Sequence, residues 1–208
     1  MVFSNFKTVT FHELSHVMEK AKNSSVWTEA GYTLFAEEGI EGIQVERIAR
    51  ILQLNKSAFY HYFGDIAGYC EQLIKLHKAK ADLYLADIAK IKSIDPDYFM
   101  TLVNHKVPCM FHLQLIRSKD NPLFYKTAEK IDQQEDTLIG ELWSDYLGFH
   151  DPGLAIRYFI IVRDMLYARV SFENFDYHFL RNLVTEARAA MQQVTENSDA
   201  MENGDSRL

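Results

Sequence analysis

The sequence predicts an all-α protein in which a small three-helix, helix-turn-helix domain precedes a larger helical bundle. The chain of 208 residues has only four prolines and nine glycines, so few residues interrupt regular structure. Apolar residues recur at spacings of three and four over long segments, which is the period of an amphipathic helix. A chain of this length can also bury a substantial core in one or two domains.

Residues 1–24 are predicted to form an extension that contains one short helix. Thr10 and Glu13 have the spacing of a capping box, in which two side chains satisfy free N–H groups at the start of a helix. Apolar residues follow at helical spacing until the pair Asn23 and Ser24 interrupts the pattern. We therefore expect this helix to end there, as an element separate from the domain that follows.

The next three helices are predicted to form a domain of residues 25–70. The first covers about residues 25–38 and ends at Gly39, since glycine readily adopts the left-handed conformation that closes a helix. The other two lie within residues 45–63, and Asn55 is suited to cap the last one because its side-chain oxygen accepts hydrogen bonds from free N–H groups. Two short helices joined in this way indicate a helix-turn-helix, whose second helix fits the major groove of DNA.

Residues 71–195 are predicted to form the ligand-binding and dimerisation domain, a bundle of longer helices. A helix over about residues 66–91 leads into this bundle, and the pair Asp95-Pro96 breaks the pattern after it. Helical periodicity resumes near Tyr98. It should bend or divide near Pro108, because proline lacks the N–H group that a helix interior requires.

Three further helices are predicted in the C-terminal part. Asn121 and Pro122 have the residue types of an N-cap and a first helical position, and the helix that they begin runs to about residue 146. The segment 154–172 is apolar over more than one face, so we expect it to be buried from two sides. The final helix has a single apolar stripe, and the polar tail 196–208 after it is predicted to be disordered.

The last two helices are also a candidate interface between two copies of the chain. Two helices from each of two subunits can pack together as a four-helix bundle. The alternative is that both helices simply close the core of their own subunit. The predicted interface residues are Ile161, Met165, Leu180, Leu183, Val184, Ala187 and Met191.

Composition limits the classes of function. The net charge of −7 argues against broad, sequence-independent binding of nucleic acid, although an acidic chain can still carry a small DNA-reading domain. No run approaches the roughly 18–20 apolar residues that span a bilayer, and the first residues lack the features of a secretion signal. The two cysteines offer neither a disulfide framework nor a metal-site spacing. We expect a cytoplasmic protein without membrane association, metal or cofactor.

The third helix of the predicted domain has a polar face that suits DNA. The N–H groups at its start favour a phosphate, Lys56 adds a positive charge, and the Tyr60 hydroxyl can donate to a phosphate oxygen. Ser57 and His61 can reach base edges, while Ala58 can contact a thymine methyl group. The alternative is an ordinary helical hairpin with a solvated face. The predicted DNA-contacting residues are Gln44, Arg47, Lys56, Ser57, Ala58, Tyr60 and His61.

Residues 26–63 resemble the DNA-binding domain of the TetR family of transcriptional regulators. Members typically show LF in the first helix, a glycine after it, a V-x-x-IA core and a recognition helix that ends in Y-x-YF. The matching positions here are Ala30, Leu34, Phe35, Gly39, Val45, Ile48, Ala49, Lys56, Tyr60, His61, Tyr62 and Phe63. The resemblance covers about a fifth of the chain. It implies a homodimeric repressor that binds palindromic operator DNA and is released by a small ligand in the C-terminal domain.

Several positions depart from the family pattern. Gln53-Leu54 occupies the turn where the family usually has glycine and a small apolar residue, and Gln44 replaces the usual Thr or Ser. Gly64-Asp65 follows the recognition helix, where a lysine commonly touches phosphate. Residues 25–70 contain three basic and six acidic side chains, so we expect modest phosphate affinity. A helical ligand-binding or interaction protein with a degenerate helix-turn-helix is therefore the alternative function.

Residues 12–16 read HELSH, which fits the H-E-x-x-H pattern of zinc metalloproteases. Two histidines four apart on a helix can share a zinc ion, with the glutamate activating water. The motif lies twelve residues from the N-terminus, which leaves no room before it for the sheet and cleft of a protease, and no downstream spacing signals a third ligand. No nucleophile–base pair or glycine-rich phosphate loop is apparent elsewhere. We therefore expect no enzymatic activity and interpret HELSH as part of an amphipathic helix, with a zinc peptidase as the remote alternative.

Aromatic and methionine side chains between residues 98 and 158 are candidates for a ligand pocket. Such side chains can line a cavity for an apolar or aromatic small molecule, although they also fill ordinary helical cores. The predicted ligand-contacting residues are Met100, Phe111, His112, Phe124, Trp143, Tyr146 and Tyr158.

Overall fold

The computed structural model describes residues 11–149 and 151–205 and confirms the all-α class. Side chains are described from Ser24 to Gln193, except at positions 150, 152 and 192. Within these residues the chain forms nine α-helices, together with a 3₁₀ turn at Gly39–Gly42 and a π-helical turn at Ile94–Tyr98. None of the described helices combines the length and the hydropathy that a membrane span requires.

Helices α1 to α3 build the N-terminal helix-turn-helix, and α4 to α9 form the bundle below it. Contacts of α1 with both α4 and α6 connect the two parts. The helices are α1 (Phe11–Glu38), α2 (Val45–Leu52), α3 (Lys56–Phe63), α4 (Ile66–Ile88), α5 (Phe99–Asn104), α6 (Lys106–Arg117), α7 (Pro122–Leu147), α8 (Pro152–Arg169) and α9 (Tyr177–Asp205).

Helix α1 is longer than the sequence predicts. It runs without a break from Phe11 to Glu38, whereas we expected Asn23 and Ser24 to separate two helices. Each of these residue types costs at most about 0.7 kcal/mol relative to alanine in a helix, far less than proline, so the pair weakens a helix without ending it. The predicted end at Gly39 is confirmed, since this buried residue has a φ of +69°.

A left-handed residue closes the turn between α2 and α3. Gln53 has φ 56° and ψ 36°, the conformation that the family usually gives to glycine. The N–H of Leu54 donates to the carbonyl of Ala49 at 2.9 Å, and the N–H of Gln53 donates to the carbonyl of Arg50 at 3.3 Å. These bonds satisfy the last carbonyl groups of α2 in a Schellman arrangement. The turn therefore keeps its geometry without a glycine.

Three aromatic rings hold the recognition helix α3 in place. Phe59 is fully buried, and its ring centroid lies 5.6 Å from Trp27 on α1 and 4.9 Å from Tyr69 on α4. The Tyr69 hydroxyl donates to the carbonyl of Trp27 at 2.6 Å. A Cβ on Gly31 would lie 1.8 Å from that hydroxyl oxygen, so only glycine permits this close approach. Helices α1 and α4 thus fix α3 from two sides.

Helix α1 also packs against the bundle through aromatic rings. Tyr32 stacks on Phe111 with ring centroids 4.2 Å apart. Phe35 lies 4.4 Å from Phe111 and 5.4 Å from Phe124. Phe111 and Phe124 were predicted ligand contacts, but they join the two parts of the fold. The core therefore continues from one domain into the other.

The segment after α4 divides into short helices before the long helix α7. Helices α5 and α6 meet at His105, three residues before Pro108. Pro108 has no N–H group for the carbonyl of Asn104, which explains the predicted division. Asn121 caps α7 as predicted, because its Oδ1 accepts from the N–H groups of Leu123 and Phe124.

The C-terminal helix differs in extent from the prediction. Helix α9 continues to Asp205, whereas the polar composition predicted a disordered tail from residue 196. The segment contains alanine, methionine and glutamate, which favour helices more strongly than its hydropathy suggests.

Candidate DNA-binding surface and ligand cavity

The recognition helix presents its polar residues to solvent. Phe59 and Phe63 turn towards the core, whereas Tyr60 is half exposed and His61 is exposed. Since residues one apart on a helix lie about 100° apart, burial of Phe59 necessarily directs Tyr60 outwards. The helix therefore offers a tyrosine hydroxyl and an imidazole on one accessible face.

Asn55 organises the start of this helix. Its Oδ1 accepts from the backbone N–H of Ser57 at 2.9 Å and from the Ser57 hydroxyl at 2.8 Å. One of the free N–H groups at the helix start is thereby satisfied, while others remain available to an anion. Ser57 can still accept a hydrogen bond from a base edge, because its own proton is directed at Asn55.

Carboxylates accompany both basic residues predicted to contact DNA. Arg47 forms two hydrogen bonds of 2.5 Å with Glu38, and this pairing lowers the pKa of Glu38. The Nζ of Lys56 lies 3.6 Å from Glu46. Both pairs are accessible to solvent, so a phosphate can compete for the cations at modest cost. The electrostatic attraction of this face for DNA is reduced accordingly.

The other predicted contact residues differ in accessibility. Gln44 is exposed, and its Nε2 donates to the carbonyl of Glu41 at 3.2 Å. Ala58 is half buried and packs against the core, which leaves less of its methyl group for a thymine. Arg50 was not among the predicted contacts, yet it is exposed in the last turn of α2. Its spacing of three from Arg47 was the available signal, because residues three apart share a helix face.

A cavity of about 50 Å³ lies within the bundle. This volume is below the range of small-molecule sites, roughly 300–1,000 Å³, so a ligand of ordinary size must displace the cavity wall. Helices α4, α6, α7 and α8 supply most of its wall, which is chiefly apolar and aromatic. The residues around it are His77, Ala81, Tyr84, Tyr98, Leu102, Pro108, Cys109, Met110, His112, Leu113, Ile131, Glu135, Arg163, Leu166, Tyr167, Val170 and Phe175.

A buried glutamate is the centre of one polar cluster in the cavity wall. Glu135 Oε1 accepts from the hydroxyl of Tyr98 at 2.9 Å and from that of Tyr84. Burial raises the pKa of Glu135, because its charged form loses solvation, although the two tyrosine hydrogen bonds act in the opposite direction. Burial also raises the pKa values of Tyr84 and Tyr98, so both stay protonated donors.

A second cluster consists of ion pairs. Arg163 Nη1 lies 2.7 Å from Asp136 Oδ1 and 3.5 Å from Asp132 Oδ1. Asp132 Oδ1 also lies 3.0 Å from His112 Nε2. One arginine therefore faces two carboxylates at the edge of the cavity.

Only one predicted ligand contact, His112, lies in this cavity wall. Met100 is 43% exposed on α5, so it points away from any enclosed space. Trp143, Tyr146 and Tyr158 lie where α7 packs against α8. The ring centroid of Trp143 is 5.8 Å from that of Tyr146 and 6.4 Å from that of Tyr158. Trp143 and Tyr158 are buried and Tyr146 is half buried, as in the alternative that the sequence left open, and their role as ligand contacts stays a prediction.

The polar residues of the cavity were missed because each stands alone in its helix. His77, Tyr84 and Glu135 belong to no motif. Glu135 did carry a signal, since it falls in the apolar stripe of α7 at helical spacing between Ile131 and Ile139. An acidic residue in a buried stripe is costly unless it is hydrogen-bonded, so such a position indicates a partner or a site.

A groove of about 450 Å³ runs between α8 and α9 on the outer face. Predicted interface residues Ile161, Met165, Ala187 and Met191 line it, and Ile161 is 56% exposed. The other three predicted residues are at most 4% exposed and belong to the core of their own chain, because the stripe of α9 packs on α5 and α8. These core residues are Leu180, Leu183 and Val184.

The structure describes part of the HELSH segment. Residues 12–16 lie on the helical backbone of α1, but their side chains lie outside the described residues. Among side chains that are described, no group of three or more His, Cys, Asp or Glu residues is placed to hold a metal ion.

Comparison with known proteins identifies relatives of part of the chain. Residues 28–68 match the family described as bacterial regulatory proteins, tetR family. HTH-type transcriptional regulators from Staphylococcus aureus strains USA300 and NCTC 8325 / PS 47 are each 29% identical over 111 residues. The matched segment is 48% of this chain, and the chain spans 57% of the length of these relatives.

The fold also has a counterpart among solved structures. The crystal structure of a transcriptional regulator (TerR/AcrR family) from Aquifex aeolicus VF5 matches with a TM-score of 0.51 and 16% sequence identity. The match covers 82% of this chain and 98% of the other. At this identity the likeness concerns the fold alone. Together with the match at residues 28–68, it confirms the resemblance that the sequence predicts.

Proposed function

We propose that this chain is a tetR-type transcriptional regulator that binds operator DNA through α3 and responds to a small ligand in the bundle. The observation that carries the proposal is the outward face of α3, where Tyr60 and His61 are accessible while Phe59 anchors the helix. The regulator acts in the cytoplasm and needs no enzymatic activity.

Binding to palindromic DNA requires two copies of the chain. The groove between α8 and α9 supports a homodimer, because Ile161 exposes 56% of its surface beside Met165 and Met191. An apolar face of this kind is stabilised by a second copy. In the dimer the two α3 helices must reach successive major grooves, roughly 34 Å apart.

Helix α4 provides the route from ligand to DNA. Tyr69 in its first turn contacts Phe59 of the recognition helix, and its later residues His77 and Tyr84 line the cavity. A ligand that displaces this helix changes the separation of the two recognition helices and releases the operator, as in a repressor. Small-angle scattering of ligand-saturated protein tests this step. An unchanged separation of the two recognition helices together with an unchanged operator affinity would overturn it.

A gel-shift assay on the upstream region of the native locus tests DNA binding directly. Tyr60→Phe removes one phosphate donor and should weaken a specific shift by about three- to tenfold. Lys56→Ala should reduce the slope of log affinity against log salt concentration by the equivalent of about one phosphate contact. Tyr62→Phe is the matched control, since Tyr62 is half buried against the core.

A helical binding protein with a degenerate helix-turn-helix is the second candidate. The pairing of Arg47 with Glu38 and of Lys56 with Glu46 favours it, because both cations already have carboxylate partners. Absence of salt-dependent binding to any fragment of the locus would support this function against the first. Zinc analysis and a chelator-sensitive peptidase assay of purified protein address the HELSH alternative separately.

A further inference from the structure

Three polar atoms in the cavity wall have no hydrogen-bond partner among the described residues. They are His77 Nε2, His112 Nδ1 and Arg163 Nε, each buried from solvent. A buried polar atom without a partner is costly, and native proteins seldom leave several together. The two histidine nitrogens lie on residues of one cavity wall, which indicates that a bound molecule completes their hydrogen bonds.

The hydrogen-bond partners of His77 determine which of its nitrogens carries the proton. Its Nδ1 lies 2.9 Å from the hydroxyl of Tyr32, which is 1% exposed. Burial lowers the pKa of His77, and the neighbouring His112 lowers it further, so the ring is neutral. Tyr32 has no other acceptor among the described residues, so its hydroxyl hydrogen is satisfied only when it donates to Nδ1. His77 Nε2 therefore bears the hydrogen and is a donor without an acceptor among the described residues.

His112 presents the complementary group. Its Nε2 lies 3.0 Å from the Asp132 carboxylate, which can only accept, so Nε2 carries the hydrogen. In the neutral ring Nδ1 is then an acceptor. The two imidazole centroids are 5.8 Å apart. One oxygen atom can bridge rings at this separation, because each hydrogen bond spans roughly 2.7–3.2 Å.

A hydroxyl group fits this pair, because it accepts one hydrogen bond and donates another. A carboxylate only accepts, and it would face repulsion from Asp132 and Asp136. An ammonium group only donates, so it would leave the N–H of His77 without an acceptor. Arg163 adds no free charge, since both aspartates accompany it. The remaining wall is apolar and aromatic, including Leu113, Leu166 and Phe175.

We propose that the cavity binds a neutral, largely apolar molecule through a hydroxyl group held between His77 and His112. The hydroxyl oxygen accepts from His77 Nε2 and donates its proton to His112 Nδ1. The inference rests on the proposed function and defines its ligand class as an alcohol or a phenol. His77 also holds Tyr32 of α1, so the contact that recognises the hydroxyl lies one hydrogen bond from the DNA-binding domain.

Calorimetric titration of the full chain with shape-matched probes tests the proposal without DNA. The probes are 4-ethylphenol, 4-ethyltoluene, in which a methyl group replaces the hydroxyl, and 4-ethylbenzoate. We expect 4-ethylphenol to bind about tenfold more tightly than 4-ethyltoluene, because two hydrogen bonds are completed, and benzoate to bind most weakly. Equal affinities for 4-ethylphenol and 4-ethyltoluene would overturn the proposal. That result is expected if a permanently bound water, and not the ligand, bridges the two imidazole rings. Absence of binding by both would overturn it too.

Two variants assign the preference to the histidine pair. His112→Phe should reduce the tenfold preference to about threefold or less, while Asp132 keeps Arg163 as its partner. Leu113→Ala is the control, since it removes apolar contact and should weaken both probes without changing their ratio. An unchanged ratio in His112→Phe protein with native circular dichroism would contradict the assignment. Operator binding is measured separately by gel shift, so loss of the ligand preference and loss of DNA binding remain distinguishable results.

Discussion

Arg47 and Glu38 form a two-pronged ion pair that links α2 to the end of α1. Both Nη–Oε distances are 2.5 Å, and both side chains keep access to solvent. The arginine that could reach a phosphate is therefore held by a carboxylate of its own domain. A charge count alone could not reveal this arrangement, which bears directly on the strength of DNA binding.

Replacing Glu38 with glutamine should strengthen operator binding. The variant releases Arg47, which then becomes available to a phosphate. We expect about three- to tenfold higher affinity for the operator at low salt. The slope of log affinity against log salt concentration should also steepen by the equivalent of about one phosphate contact. A gel-shift series over several salt concentrations measures both quantities.

Glu41→Gln is the matched control for this variant. Glu41 is also acidic and exposed in the same domain, but its side chain is in no ion pair of the described residues. The control removes the same charge without releasing an arginine, so it should raise affinity less and leave the salt slope nearly unchanged. Equal effects of the two variants would show that net charge alone matters.

Gln53→Gly should stabilise the protein. Gln53 has a φ of +56°, a conformation that costs a residue with a side chain roughly 1 kcal/mol and costs glycine little. We expect the free energy of unfolding to rise by about 0.5–1 kcal/mol in urea titrations. Gln53→Ala retains a Cβ and should give no such gain. A gain of the same size in both variants would contradict backbone strain as the cause.

Glu135→Gln should change how stability depends on pH. Burial raises the pKa of Glu135, so the folded chain holds its proton more tightly than the unfolded chain, whose glutamate has an ordinary pKa of 4.5. The contribution of Glu135 to the free energy of unfolding is therefore fully present below the unfolded pKa. It is lost progressively as pH rises through the folded pKa. Glutamine has no proton to lose, and its side-chain oxygen still accepts from Tyr84 and Tyr98.

The stability of this variant relative to the native chain should accordingly increase as pH rises from about 4.5 through the raised, folded-state pKa of Glu135. Urea denaturation at several pH values in this range measures the difference. Glu129→Gln on the same helix is the control, since Glu129 is exposed. A difference between Glu135→Gln and the native chain that stays constant with pH would contradict the prediction.

Ile161→Glu should separate the two subunits of the proposed dimer. The side chain is 56% exposed in one chain, so a glutamate there disturbs the fold little, but a second copy would have to bury its charge. We expect the dimer dissociation constant to rise about tenfold or more in analytical ultracentrifugation. Leu83→Glu on α4, where the leucine is 65% exposed, should leave association unchanged. A native-like dimer of the Ile161 variant would place the interface elsewhere.

Local patterns predicted the helices well where a side chain bonds to its own backbone neighbours. Asn55 and Asn121 cap α3 and α7 as predicted, because an N-cap depends on residues only two or three positions away. The pattern failed at Asn23 and Ser24, since weak helix formers do not end a helix.

The sequence by itself determined the all-α class, the helix-turn-helix and the outward face of α3, because helical periodicity and capping are local properties. Only the tertiary structure decided which side chains meet in the cavity. His77, His112 and Glu135 come from three different helices, and burial among apolar neighbours gives them their hydrogen-bonding roles. The same packing placed Phe111 and Phe124 against α1, where they join the domains. Contacts between distant helices follow from how their faces pack, and periodicity within one helix carries no information about its partner.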